Sequence, residues 1–147
     1  MQSREKDGLI FVRLFPDENI YEQLQVVCEQ HNVKTAVVIS GIGQLKHVKL
    51  GYFREKGNYL LQKFHKALEL LSLAGNVIQQ KGEYLFHFHA VLGDEKKRAL
   101  GGHLIDGMVE ITNEIVLLKS DLSLERRTED KTGLKGIYLD LDGLNDE

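Results

Sequence analysis

The sequence predicts an α+β domain: a mainly antiparallel β-sheet with one helix near the N-terminus packed on it. Three observations predict this. Only the segment Ile20 to His31 carries apolar residues at helical spacing, whereas seven other segments up to residue 119 have the length and composition of strands. Turn-type breaks at Gly57-Asn58, Lys81-Gly82-Glu83 and Gly93-Asp94 separate neighbouring strands by hairpin distances. One helix among hairpin-linked strands is α+β organisation, distinct from the alternation that builds parallel sheets.

The elements follow in order. Gly8 to Phe15 is rich in Ile, Phe, Val and Leu, and Pro16 stops it. Asp17 to Asn19 offer N-cap side chains for the helix, in which Ile20, Leu24, Val27 and Cys28 make the apolar stripe. Cys28 on that stripe is expected to pack as a small hydrophobe. Thr35 to Ser40 is β-branched and apolar, Gly41-Ile42-Gly43 is expected to bend the chain, and Leu45 to Phe53 alternates. Tyr59 to Phe64, Leu68 to Gln79, Tyr84 to Leu92 and Met108 to Lys119 complete the strands.

Residues 1–119 therefore form the predicted domain, and residues 120–147 an acidic C-terminal extension, partly docked or flexible. The extension carries −4, from eight acidic and four basic residues, while residues 1–119 carry +1. Its Ile137, Tyr138, Leu139 and Leu141 form an apolar patch that can dock as a short edge strand.

Composition bounds the function classes. A chain of 147 residues with 42% apolar content is long enough for one domain with a real core. The formal charge of −3 argues against a general polyanion binder. A single cysteine cannot form an internal disulfide, and no apolar run approaches the ~20 residues of a membrane span. Met1 to Asp7 is polar and charged, unlike a signal peptide, so the expected location is the cytoplasm with no membrane partner. Gly41-Ile42-Gly43 lacks the third glycine of a dinucleotide fingerprint, and there is no P-loop, C-x-x-C or G-x-S-x-G.

The chemistry concentrates at His87-Phe88-His89 and Gly101-Gly102-His103. Residues i and i+2 of a strand project from one face, so His87 and His89 point together. A third imidazole from a neighbouring segment gives three nitrogen ligands with a position left open, the pattern of catalytic rather than structural zinc sites. Gly101 and Gly102 supply the close backbone approach that brings His103 in. Zinc suits three imidazoles best, with other divalent transition metals as alternatives. The plain alternative is an ordinary polar strand face. His31, His47 and His65 are scattered and read as surface or interface residues.

Glu69 lies within Leu68-Glu69-Leu70-Leu71-Ser72-Leu73, on the strand face shared with Leu71 and Leu73. A carboxylate on an apolar face needs a partner. It is either an edge or interface ion pair or, if enclosed, the general base of a catalytic site. Glu110, Thr112 and Glu114 read as a solvent face or a polar subunit contact, and Asp106 as a turn residue first and a candidate acid second.

Taken in order, Gly41-Ile42-Gly43-Gln44-Leu45, Leu68 to Gly75, His87-Phe88-His89, Gly101-Gly102-His103-Leu104 and Val109 to Glu114 resemble the plants-and-prokaryotes conserved (PPC) domain. The resemblance implies a mainly antiparallel sheet packed as a homotrimer. In free-standing prokaryotic members the H-x-H and G-G-H histidines resemble a metal-binding cluster, and His87, His89 and His103 stand at all three positions. Plant members bind A/T-rich DNA through a separate AT-hook with an arginine-glycine-arginine-proline core. This sequence has no such core, and its only proline is Pro16.

The resulting expectation is a trimeric zinc-binding protein whose His87/His89/His103 site faces a small-ligand pocket. Two alternatives stay open: a metal-dependent hydrolase or lyase with Glu69 in proton transfer, and a DNA-associated regulatory protein.

Overall fold

The computed structural model describes residues 1–139. Its elements are β1 (Gln2–Lys6), β2 (Leu9–Leu14), α1 (Ile20–Gln30), β3 (Thr35–Glu55), β4 (Asn58–Phe64), β5 (Leu68–Gln80), β6 (Glu83–Gly93), β7 (Ala99–Ser120), β8 (Glu125–Thr128) and β9 (Lys135–Tyr138). Seven strands make one sheet in the order β1-β2-β7-β6-β5-β3-β4, with β7 also paired to β3. That extra pairing joins β3, β5, β6 and β7 in a closed cycle. All of these pairings are antiparallel.

The helix forms where the spacing predicts it. Asn19 caps it, its Oδ1 accepting from the backbone N–H of Tyr21 at 2.9 Å and of Glu22 at 3.2 Å. Ile20, Leu24, Val27 and Cys28 are buried on one stripe. They meet the inward residues of β2, where Ile10, Val12 and Leu14 alternate with exposed neighbours, and Ile115 and Leu117 of β7 in one core. The β5–β6 hairpin turns on Lys81 and Gly82, both at positive φ, as a two-residue loop matched to strand twist requires.

Three features differ from the sequence expectation. Gly41-Ile42-Gly43 does not separate two strands. β3 runs through it for 21 residues, and the bend is taken up in register shifts between Val38 and Ser40 and between Gly43 and Leu45. β7 starts at Ala99, nine residues before the predicted Met108, so His103 lies within a strand. Gln2 to Lys6 forms β1, an edge strand of polar residues held by ladder bonds to β2 and by a Lys119–Glu5 ion pair of 2.8 Å.

In the described part of the segment after residue 120, β8 and β9 pair with each other as a separate two-stranded sheet. Ile137 and Tyr138 are in β9, paired to β8 and not to the main sheet, and Leu139 is exposed. Leu141 lies outside the described residues.

Candidate metal centre

Phe88 explains why His87 and His89 point the same way. It is fully buried, stacked on Tyr21 with ring centroids 5.6 Å apart and packed against Phe86 at 5.5 Å. With Phe88 anchored inward, strand alternation turns the residues on either side of it to the opposite face. β6 then pairs with β7 so that His89 stands directly opposite His103. The next pair, Ala90 opposite Gly102, and the following one, Val91 opposite Gly101, explain the two glycines. A Cβ on Gly101 would lie 2.7 Å from the Ala90 carbonyl oxygen, and one on Gly102 would lie 2.9 Å from the Gly51 carbonyl oxygen. The glycines let β7 fit between β6 and β3, which carries His103 to the other two imidazoles.

The three rings form a nearly regular triangle, with centroid separations of 5.2, 5.1 and 5.4 Å. One ligand atom from each lies within 4.8 Å of the other two, and His87 Nε2 is 3.3 Å from His89 Nε2. Four-coordinate zinc with bonds of ~2.0–2.1 Å places its ligand atoms about 3.3–3.4 Å apart, the separation that His87 and His89 already have. Among the described residues this is the only group of three or more His, Cys, Asp or Glu side chains so arranged.

The surroundings of His87 and His103 favour the neutral imidazole, the form that ligates metal. Burial, and then the charges of Arg126 and His89, lower the His87 pKa below the ordinary histidine value. Burial, followed by His87, His89 and Arg126, lowers that of His103 to about 4.

The triangle opens into a cleft of about 910 Å³, lined also by Tyr21, Tyr59, Tyr84, Phe86 and Arg126. Tyr59 of β4 reaches across Gly51 and meets His103 edge-on, with centroids 6.2 Å apart. A side chain at position 51 would collide with the Tyr59 ring. Arg126 comes from β8. Its Nη2 donates to Asn76 Oδ1, and Asn76 stands opposite His87 in the β5–β6 ladder.

The structure does not bring Glu69 to this site. Glu69 is exposed at the far end of β5, opposite Gly93, and accepts a 2.7 Å hydrogen bond from Gln44 Nε2. His89 stands opposite Ala74, about 16 Å further along the strand at 3.2–3.4 Å per residue. A bulge between Leu70 and Ser72 also separates Leu71, which is exposed, from Leu73, which is buried. Glu110 pairs with Lys46 at 2.9 Å, Asp106 accepts from Asn19 Nδ2 at 2.7 Å, and His31 lies 3.3 Å from Glu5. His47 and His65 pack on each other with centroids 5.9 Å apart.

Arg126 and Tyr59 are the site residues that sequence reasoning missed. Arg126-Arg127 sits in an acidic segment with no periodicity, and only the adjacency of two arginines there was a signal. Tyr59 marks, in the sequence, only the start of a strand.

Residues 1–121 match the model of the Plants and Prokaryotes Conserved (PCC) domain. The chain belongs to this family. A PPC protein from Pyrococcus horikoshii is 28% identical, with 92% of this chain and 93% of that one covered and a TM-score of 0.77. A metal-containing protein from Archaeoglobus fulgidus is 27% identical, with 91% and 95% covered and a TM-score of 0.80. A Bacteroides thetaiotaomicron protein described as a candidate DNA-binding protein has the same fold, with a TM-score of 0.87 at 21% identity over 94% and 96% of the two chains. The Bifunctional protein GlmU of a Synechococcus strain is 30% identical over 132 residues, 88% of this chain. The chain spans only 19% of that relative's length, so the match concerns one segment of a larger protein.

Proposed function

We propose that this PCC-domain protein binds one Zn2+ ion per chain through His87, His89 and His103, and works as a homotrimer whose metal faces a small-ligand cleft. The observation that carries this reading is the triangle itself: three imidazoles with ligand atoms inside 4.8 Å, two of them at 3.3 Å. Three protein ligands leave a coordination position for water or for a ligand from the cleft. When bound, the ion supplies Lewis acidity there. The chain's own residues hold the imidazoles in place through Phe88, Gly101 and Gly102. Tyr21, Tyr59 and Tyr84 contribute aromatic surface to the lining of the cleft. Kinship with a protein described as metal-containing supports the same reading.

Calorimetric titration of chelator-treated protein with Zn2+ tests it. Wild type is expected to take up one equivalent, and the His87→Ala/His89→Ala variant none. Equal uptake by both would sink the assignment.

Self-association is supported by the surface opposite the helix, and the count of three by the family resemblance. Leu9, Leu118 and Val37 are consecutive partners across β2, β7 and β3, as are Phe11, Val116 and Ser40, so these side chains share one face. Phe11 is 60% exposed and the adjacent Ile39 57%. A cleft of about 630 Å³ runs beside them, lined by Phe11, Arg13, Ile42 and Val116. A continuous apolar strip of this kind is a contact surface, and self-association covers it with copies of this chain. Sedimentation equilibrium is expected to give three times the chain mass of 16.7 kDa, and the Phe11→Glu/Ile39→Glu variant the mass of one chain. A wild-type monomer would remove the trimer from the account.

A further inference from the structure

Arg126 is a buried cation with no anionic partner among the described residues. It is 8% exposed, and none of the ion pairs there includes it. Its contacts are neutral: Nη2 donates to Asn76 Oδ1 and Nη1 to the Lys135 carbonyl at 3.4 Å. Its Nε is buried without a hydrogen-bond partner. Guanidinium has five N–H donors, so two bonds leave most of its capacity unused. Burying a charge this way is costly unless a counter-ion completes it. The neighbouring residues deepen the imbalance. Imidazole ligands do not offset the charge of a divalent cation, and among the described residues the lining of the cleft contains no carboxylate.

The position of Arg126 turns this imbalance into recognition. Asn76 holds the guanidinium opposite His87 in the ladder, so cation and histidine triangle border one cleft. The rest of the lining is largely aromatic, with Tyr59, Tyr84 and Phe86 among it. A ligand suited to all three features has an oxyanion at one end and a flat apolar body. We infer that Arg126 is the anion-recognition residue of the cleft, and that the natural ligand is a small organic acid, carboxylate or phosphate monoester, with an aromatic or similarly apolar body. This rests on the metal reading above, in which the ion and Arg126 address one ligand together.

The test uses the full chain loaded with Zn2+, with metal content measured on every sample. Benzoate and phenyl phosphate are titrated calorimetrically, with benzamide as the uncharged control. One of the two anions is expected to bind at least tenfold more tightly than benzamide, and the tighter of the two identifies the class of acid. Arg126→Gln is expected to keep its zinc and lose tenfold or more in anion affinity. Arg126→Lys keeps the charge without the planar fork, folds under the same constraint, and is expected to lose several-fold.

Anion binding that is equal in wild type and in both zinc-loaded variants would overturn the inference, as would flat titrations of zinc-loaded wild type. Uptake of benzoate only after Asp140→Asn/Asp142→Asn/Asp146→Asn/Glu147→Gln would overturn it too, because the chain's own acidic end would then be the partner of Arg126. A wild type that takes up no Zn2+ is a different failure, that of the metal reading, and the metal measurement separates the two.

Discussion

A buried aromatic residue between two histidines does more for the site than either histidine's own contacts. Phe88 fixes the rotation of β6, and strand alternation then places His87 and His89 side by side. This much was legible in the sequence because it depends only on a period of two. Glu69 was not, because its expected environment assumed unbroken alternation through Leu73, and the bulge after Leu70 breaks it. Cys28 behaves as its place on the helix stripe predicts. Burial, with a smaller push from Glu29, raises its thiol to about 12. Native protein is therefore expected to resist iodoacetamide at neutral pH, while protein in denaturant reacts fully. Fast alkylation of the native state would show that Cys28 is reached.

Strand length and closure decide which residues meet, and these were the least legible features. The predicted break at Gly41-Ile42-Gly43 and the late start at Met108 both follow from local composition. The pairing of β3 with β7 over most of their lengths is long-range and leaves no local mark. β1 was invisible for a related reason: it is held by its backbone and an ion pair, with no apolar alternation. Two predictions belong to this scale. Gly75 has φ of 141° opposite Phe88, and a Cβ there would run into the His87 carbonyl. Gly75→Ala is expected to cost about 2–3 kcal/mol in urea unfolding and to weaken zinc binding; an unchanged midpoint would contradict this. The hydrogen bond and charge of Lys119, with His31, hold the Glu5 carboxyl below its ordinary value of 4.5. A lowered carboxyl stabilises the fold above the unfolded value and loses that contribution as pH falls through the folded one. Glu5→Gln is therefore expected to melt below wild type near pH 6, with the difference closing toward pH 3. A constant difference would show that the ionised form is not what matters.

At the scale of the whole molecule, the balance of −3 divides between a nearly neutral body and an acidic extension, and the extension is not inert. Its β8 places Arg126 against the cleft, joining the most acidic segment to the one site with clustered imidazoles. The family resemblance, the helix and the antiparallel sheet were all readable beforehand. The contribution of β8 was not, because nothing in a short strand's composition says which surface it covers. The account stands or falls on the metal. Elemental analysis of purified wild-type protein beside His87→Ala/His89→Ala is predicted to find one zinc per chain in the first and none in the second; metal-free wild type that takes up no added zinc, or equal metal in both, would contradict it.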